Sequence, residues 1–225
     1  MTKYILLLIL LSGCLGINTT RKLTRDVKDH FTNRLEGVST SLSDKVDLKG
    51  YYRYWVNEEA AGNAELSADG DTLFRDIIFY EDGSCITNLL IKYPFLTYDD
   101  YFTDVIAKGK KDLFYKRNWA IYSLSGDTIK VQILKHAANF TPWYNWEEWF
   151  LIKDRNTLQV IYLEDPGNTN QQYQQKLKTK VKRSSPAKFY PLTVVPPPYA
   201  WFKTNSFFWR NEDDWRTYLD TINQK

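Results

Sequence analysis

The sequence predicts a mainly β protein, an antiparallel up-and-down barrel with short accessory helices. From Asp47 onward, β-rich runs, several with apolar and aromatic residues alternating, follow one another along seven segments, as strands do. Most runs are joined by tight-turn signals such as Asp82-Gly83 and Ser125-Gly126-Asp127, which pair neighbouring strands antiparallel. No strand–helix–strand alternation points to a parallel sheet. A twisted meander of this size removes its exposed edges by closing on itself.

The chain opens on Met1-Thr2-Lys3 and continues through the uncharged run Tyr4 to Leu11, the charged and apolar regions of an export signal in order. That run stops at Ser12-Gly13-Cys14, short of the roughly 20 residues that a bilayer-crossing helix needs. Leu11-Ser12-Gly13-Cys14 resembles the lipobox of bacterial lipoproteins. The resemblance implies cleavage before Cys14, lipid on its thiol, palmitate-type acylation and a place in the bacterial cell envelope. An uncleaved anchor is the alternative. No acidic residue closely follows Cys14, so the outer membrane is the expected address. Each buried acyl methylene adds about 0.8 kcal/mol of membrane affinity.

The expected organisation is a signal peptide over 1–13, a tether with a short helix over 14–46, the barrel over 47–183, and a Pro-rich connector with a C-terminal helix over 184–225. Leu23, Val27, Phe31 and Leu35 recur every four residues and predict a helix near 23–36. Leu48 to Val56 predicts the first strand, and the polar stretch Glu58 to Asp71 a loop. Leu73 to Tyr80 and Cys85 to Lys92 form a hairpin about Asp82-Gly83. Thr97 caps a helix near 98–107 that ends at Gly109. Arg117 to Leu124 pairs with Thr128 to Lys135, and Trp146 to Lys153 with Thr157 to Glu164. Lys176, Lys178, Lys180 and Lys182 alternate with Leu177, Thr179 and Val181, which predicts a last or edge strand protected by lysine; attraction to anionic lipid or glycan is the functional alternative. Pro186, Pro191 and Pro196-Pro197-Pro198 predict an extended connector. Asn211 then opens a helix near 212–222, with Trp215, Tyr218, Leu219 and Ile222 facing the barrel.

With Cys14 acylated, Cys85 is the remaining cysteine of 2, so no internal disulfide forms and the core must supply the stability. A content of 43% hydrophobic and 16% aromatic residues is enough for one. The formal net charge of +3 gives no argument for nucleic acid.

Leu48-Lys49-Gly50-Tyr51-Tyr52, Phe79-Tyr80-Glu81-Asp82-Gly83 and Trp119-Ala120-Ile121-Tyr122 with Gly126-Asp127-Thr128-Ile129 resemble the lipocalin-like domains of envelope lipoproteins over about 47–165. The resemblance implies an up-and-down barrel, often with a cavity for a small apolar ligand, and no conserved reaction.

Residues that could carry chemistry are sparse. His30 and His136 show no metal-pair spacing, and Cys85 lies in a β-rich run where a small buried hydrophobe is usual. No nucleophile elbow, phosphate loop or cofactor motif occurs, so no catalytic residue, metal or cofactor is expected. In Trp143 to Phe150, Trp146, Glu148 and Phe150 share one face while Glu147 and Trp149 take the other, which argues against a glycosidase pair at Glu147 and Glu148. Such aromatics either fill a core or line a site. The expected function is a membrane-anchored lipoprotein that binds a small apolar or amphipathic ligand, with Trp119, Tyr122, Trp146 and Phe150 as its lining. The alternative is a structural or interaction subunit of an envelope complex, with Tyr199 to Trp209 as its contact surface.

Overall fold

The computed structural model describes residues 25–56, 73–87, 97–109, 118–136, 143–166, 170–198 and 200–223. Cys14, the leader, the spacer with Leu23, the Glu58–Asp71 loop and Leu89 to Lys92 lie outside the described residues.

Eight antiparallel strands form a closed barrel in sequence order. They are β1 (Gly50–Val56), β2 (Leu73–Phe79), β3 (Ser84–Thr87), β4 (Asn118–Ser125), β5 (Thr128–His136), β6 (Trp143–Asp154), β7 (Thr157–Glu164) and β8 (Ala187–Pro191). The seven expected strands are β1 to β7, and Asp82-Gly83 turns β2 into β3 with Gly83 at φ 85°. That left-handed conformation favours glycine. Helices α1 (Arg25–His30), α2 (Tyr98–Ala107), α3 (Gln171–Arg183) and α4 (Glu212–Asn223) accompany the barrel. α1 is shorter than the predicted stripe. Phe31 and Leu35 are buried on the barrel wall, but Leu35 makes an isolated bridge with Trp209 instead of continuing the helix.

The lysine-rich segment corrects the sequence reading. It forms α3, capped by the Asn170 side chain on the Tyr173 amide. Tyr173, Leu177 and Val181 lie four residues apart and join the inner core, with Leu177 only 1% exposed. The eighth strand comes later, within the segment expected to be a connector. β8 is short, pairing with β7 at Thr157↔Lys188 and Leu158↔Ala187 and with β1 from Gly50↔Pro191 to Arg53↔Lys188. It therefore closes only part of the seam, and α3 packs on β7 and β1 in the remainder.

The two ends of the barrel differ. Tight turns at 81–82, 126–127 and 155–156 mark one end, and residues 39–47 run across them. Ser39 and Ser43 donate to Glu81, Lys45 pairs with Asp127 at 2.6 Å, and Arg155 binds Asp47 at 3.0 Å. Leu42 and Val46 insert into the inner core and plug this end. Strands β1, β3, β5 and β7 finish at the other end.

A second apolar cluster covers the outer wall. Val27, Phe31 and Leu35, α2 through Tyr101, Phe102 and Val105, and the tail residues Phe202 and Phe208 pack on Ile78, Ile86, Trp119, Ile121 and Leu134. Strands β3 and β4 are thus buried on both faces, which removes the usual polar–apolar alternation.

Candidate functional site

The four expected lining residues do not share one surface. Tyr122, Trp146 and Phe150 face the lumen within the inner core, but Trp119 faces outward into the second cluster and tilts against Tyr80 at 5.8 Å. The reason is the covered outer wall: β4 carries large apolar residues on both faces, so its aromatics split between the two cores. Trp119 is an outer core residue. Tyr122 donates its hydroxyl to the Tyr80 carbonyl at 2.7 Å and meets Thr40 at 2.6 Å, closing the turn end.

Toward the turns the lumen is aromatic and packed. Phe79 meets Tyr52, Tyr122 and Phe150 edge-on at centroid separations of 6.0, 5.4 and 6.3 Å. The Phe79–Phe150 contact joins β2 to β6 across the barrel. Edge-to-face packing of this kind stabilises by about 0.5–1.5 kcal/mol per pair beyond burial.

Above this aromatic layer lies a polar one. Glu148 of β6, 2% exposed, pairs across the lumen with Arg75 of β2. It also accepts from the Tyr54 hydroxyl at 2.5 Å and from the Trp146 indole at 2.8 Å. The Arg75 guanidinium lies 5.4 Å from the centre of the Trp146 ring. Burial and then the Glu148 charge push the Tyr54 phenol well up, so it stays a donor. The same causes, in the same order, raise the inward Cys85 thiol, which therefore stays protonated and unreactive.

Arg75 and Tyr54 escaped the sequence reading. The signal was a charge at an inward position of β2, two and four residues from Ile77 and Phe79. Its partner is on the opposite wall, and only the strand order shows that.

The remaining candidates are held by the fold. Glu147 faces outward, opposite Glu148 as expected, and accepts from Gln132 at 2.8 Å and Trp149 at 2.7 Å. Gln132 in turn takes the amides of Thr32 and Asn33 at 2.8 and 2.7 Å, pinning the chain after α1. His30 ends α1, and its carbonyl accepts from Gln132 and Asn145. No grouping of three or more potential metal ligands occurs among the described residues. Phe202 and Phe208 of the expected contact tail are fully buried, so the fold itself uses them. No protein-family model, no curated protein and no solved structure matches the chain.

Proposed function

We propose that this chain is a lipid-anchored, lipocalin-like protein of the bacterial envelope, tethered through Cys14 and probing its surroundings with the barrel end opposite the tight turns. There it receives a small amphipathic ligand. The polar end of the ligand meets Arg75 and the indole of Trp146, and its apolar body lies along Ile133 and the inner wall above the aromatic layer.

The observation that carries this reading is the Arg75–Glu148 pair in the lumen. Desolvating two charges costs about as much as their attraction returns, and an apolar filling is often at least as stable. A charged layer in an otherwise apolar barrel therefore favours a recognition role, in which a flat ring, a cation and a hydroxyl supply the few polar contacts that orient a ligand. Plugging by Leu42 and Val46 at one end directs entry to the other.

The test is titration of the full chain, in nonionic detergent, with a fluorescent long-chain fatty acid. Binding quenches tryptophan emission, Trp146→Phe removes most of the quench, and Arg75→Gln weakens binding about tenfold, the loss of one charge-assisted contact. Unchanged binding in both variants overturns the site. For the anchor, Cys14→Ser abolishes acyl labelling and releases the protein from membranes. A variant that stays membrane-bound without label overturns the lipoprotein reading.

A further inference from the structure

A groove of about 350 Å³ opens on the outside of the barrel at its plugged end. Its walls are Leu35, residues 37–39, the β2–β3 turn, Trp209 and one side of α4. Trp209 and Tyr218 line it as a tilted aromatic pair with centroids 5.3 Å apart, and Val38 on its rim is 62% exposed. The acidic side chains in the lining are Glu81, Asp82 and Asp214, and none of the lining residues is a lysine, arginine or histidine.

Two cations of the chain stand close to this rim and leave its three carboxylates in excess. Lys203, 2% exposed, is bonded to the Asp82 carboxylate and to the Pro198 carbonyl at 2.9 Å, and its ammonium lies 6.0 Å from the centre of the Tyr218 ring. Arg210 is engaged by Glu36 at 2.8 Å. Burial works against the Glu81 carboxylate, but bonds from Ser39 and Ser43 outweigh it and hold its pKa below the usual range. The close approach of α4 is built in at Gly37. This residue has φ 70°, and a Cβ there would fall 2.7 Å from the Asp214 carboxylate oxygen and 2.8 Å from its Cβ, so a larger residue strains the backbone and must displace the Asp214 side chain.

An aromatic wall, an exposed apolar rim and carboxylates left with an excess of negative charge have one common complement. A cation over an aromatic face is drawn by the ring quadrupole, and its charge satisfies the rim. We propose that this groove is a second ligand site, independent of the lumen, that takes a small organic cation, an ammonium group on an apolar body. The ammonium sits against the Trp209 side of the aromatic pair, beside Asp214 and Glu81, and its apolar body contacts Leu35 and Val38.

The test uses the full chain in nonionic detergent, with choline as probe and its neutral isostere 3,3-dimethylbutan-1-ol as control, followed by saturation-transfer NMR and titration. Choline binds, and the neutral alcohol binds about tenfold more weakly or not at all. Asp214→Asn weakens choline severalfold while the strand signals in circular dichroism persist. Gly37→Ala displaces α4 and abolishes binding while the strand signals in circular dichroism persist. Trp146→Phe leaves choline binding unchanged, which separates this site from the lumen. Equal binding of the alcohol, an Asp214→Asn protein that binds as well as the parent, or no binding of choline overturns the proposal.

Discussion

Arg75 and Glu148 join opposite walls of the barrel, a guanidinium from β2 against a carboxylate from β6, with side chains 16% and 2% exposed. Their charges are worth more to each other than to the fold. Glu148→Ala leaves the Arg75 charge in the lumen and removes the acceptor used by Tyr54 and Trp146. Breaking a buried pair costs about 3–5 kcal/mol, and the partial exposure of Arg75 places this one near about 3 kcal/mol. Arg75→Met combined with Glu148→Leu costs less than Glu148→Ala alone. Urea denaturation of Arg75→Met, Glu148→Leu and their double measures the coupling; additive losses would show that the pair does not act as a unit.

The seam is the barrel's weak place, and Gly50 holds it. A Cβ at Gly50 would fall against the Tyr190 carbonyl oxygen and 2.7 Å from the Phe189 ring. Gly50→Ala therefore pushes β8 from β1 and destabilises by about 1–3 kcal/mol, as overpacking does. The Leu192 amide, which donates to the Lys49 carbonyl at 3.0 Å, exchanges with solvent faster in the variant. Unchanged exchange there would mean that the seam tolerates the added carbon.

How much of this was legible depends on how many faces of an element are buried. β1 to β7 were legible because turn residues punctuate them and most alternate cleanly. The facing of Trp119 was not, since β4 is apolar on both sides and alternation cannot say which side is the lumen. α3 was misread because its string satisfies two periods at once: lysines at every second position, and Tyr173, Leu177 and Val181 at every fourth. The cap at Asn170 was the signal that decides for a helix. β8 was hidden by the prolines around it, Pro186 before and Pro191 at its end, where a missing amide costs little. Of the site, Trp146, Glu148 and Phe150 were correctly placed on one face, whereas Arg75 needed the cross-lumen pairing to acquire meaning.

The helical reading of α3 makes its own prediction. Leu177 is buried against the inner core, and Lys178 beside it is exposed. Leu177→Ala costs about 3 kcal/mol through the cavity it leaves, while Lys178→Ala stays within about 0.5 kcal/mol. Asn170→Ala removes the cap on the Tyr173 amide and costs about 1 kcal/mol. Chemical denaturation distinguishes the three, and a Lys178→Ala loss equal to that of Leu177→Ala would contradict the inward face.

Alkaline pH weakens the fold, and the sign follows from its tyrosines. Burial raises the phenols of Tyr52, Tyr54, Tyr80, Tyr98 and Tyr122 above their usual value of 10.0. Below that pH the folded and unfolded chains both keep these protons, and the phenols contribute nothing to the pH dependence. Above it the unfolded chain releases protons that the folded chain retains, so stability falls by up to about 1.4 kcal/mol per pH unit for each phenol. The buried Cys85 thiol acts in the same direction from a usual value of 9.0. Lys203 opposes them: burial depresses its ammonium, against the partial compensation of Asp82, so its contribution grows as pH rises toward 10.5 and is constant beyond. Several acids outweigh one base, and the decline is steep above pH 10. Guanidinium denaturation across this range, with phenolate absorbance recorded in parallel, tests it. The phenolate signal of these side chains appears together with loss of the β spectrum, whereas a full phenolate signal from an intact barrel would show that the tyrosines are open to water.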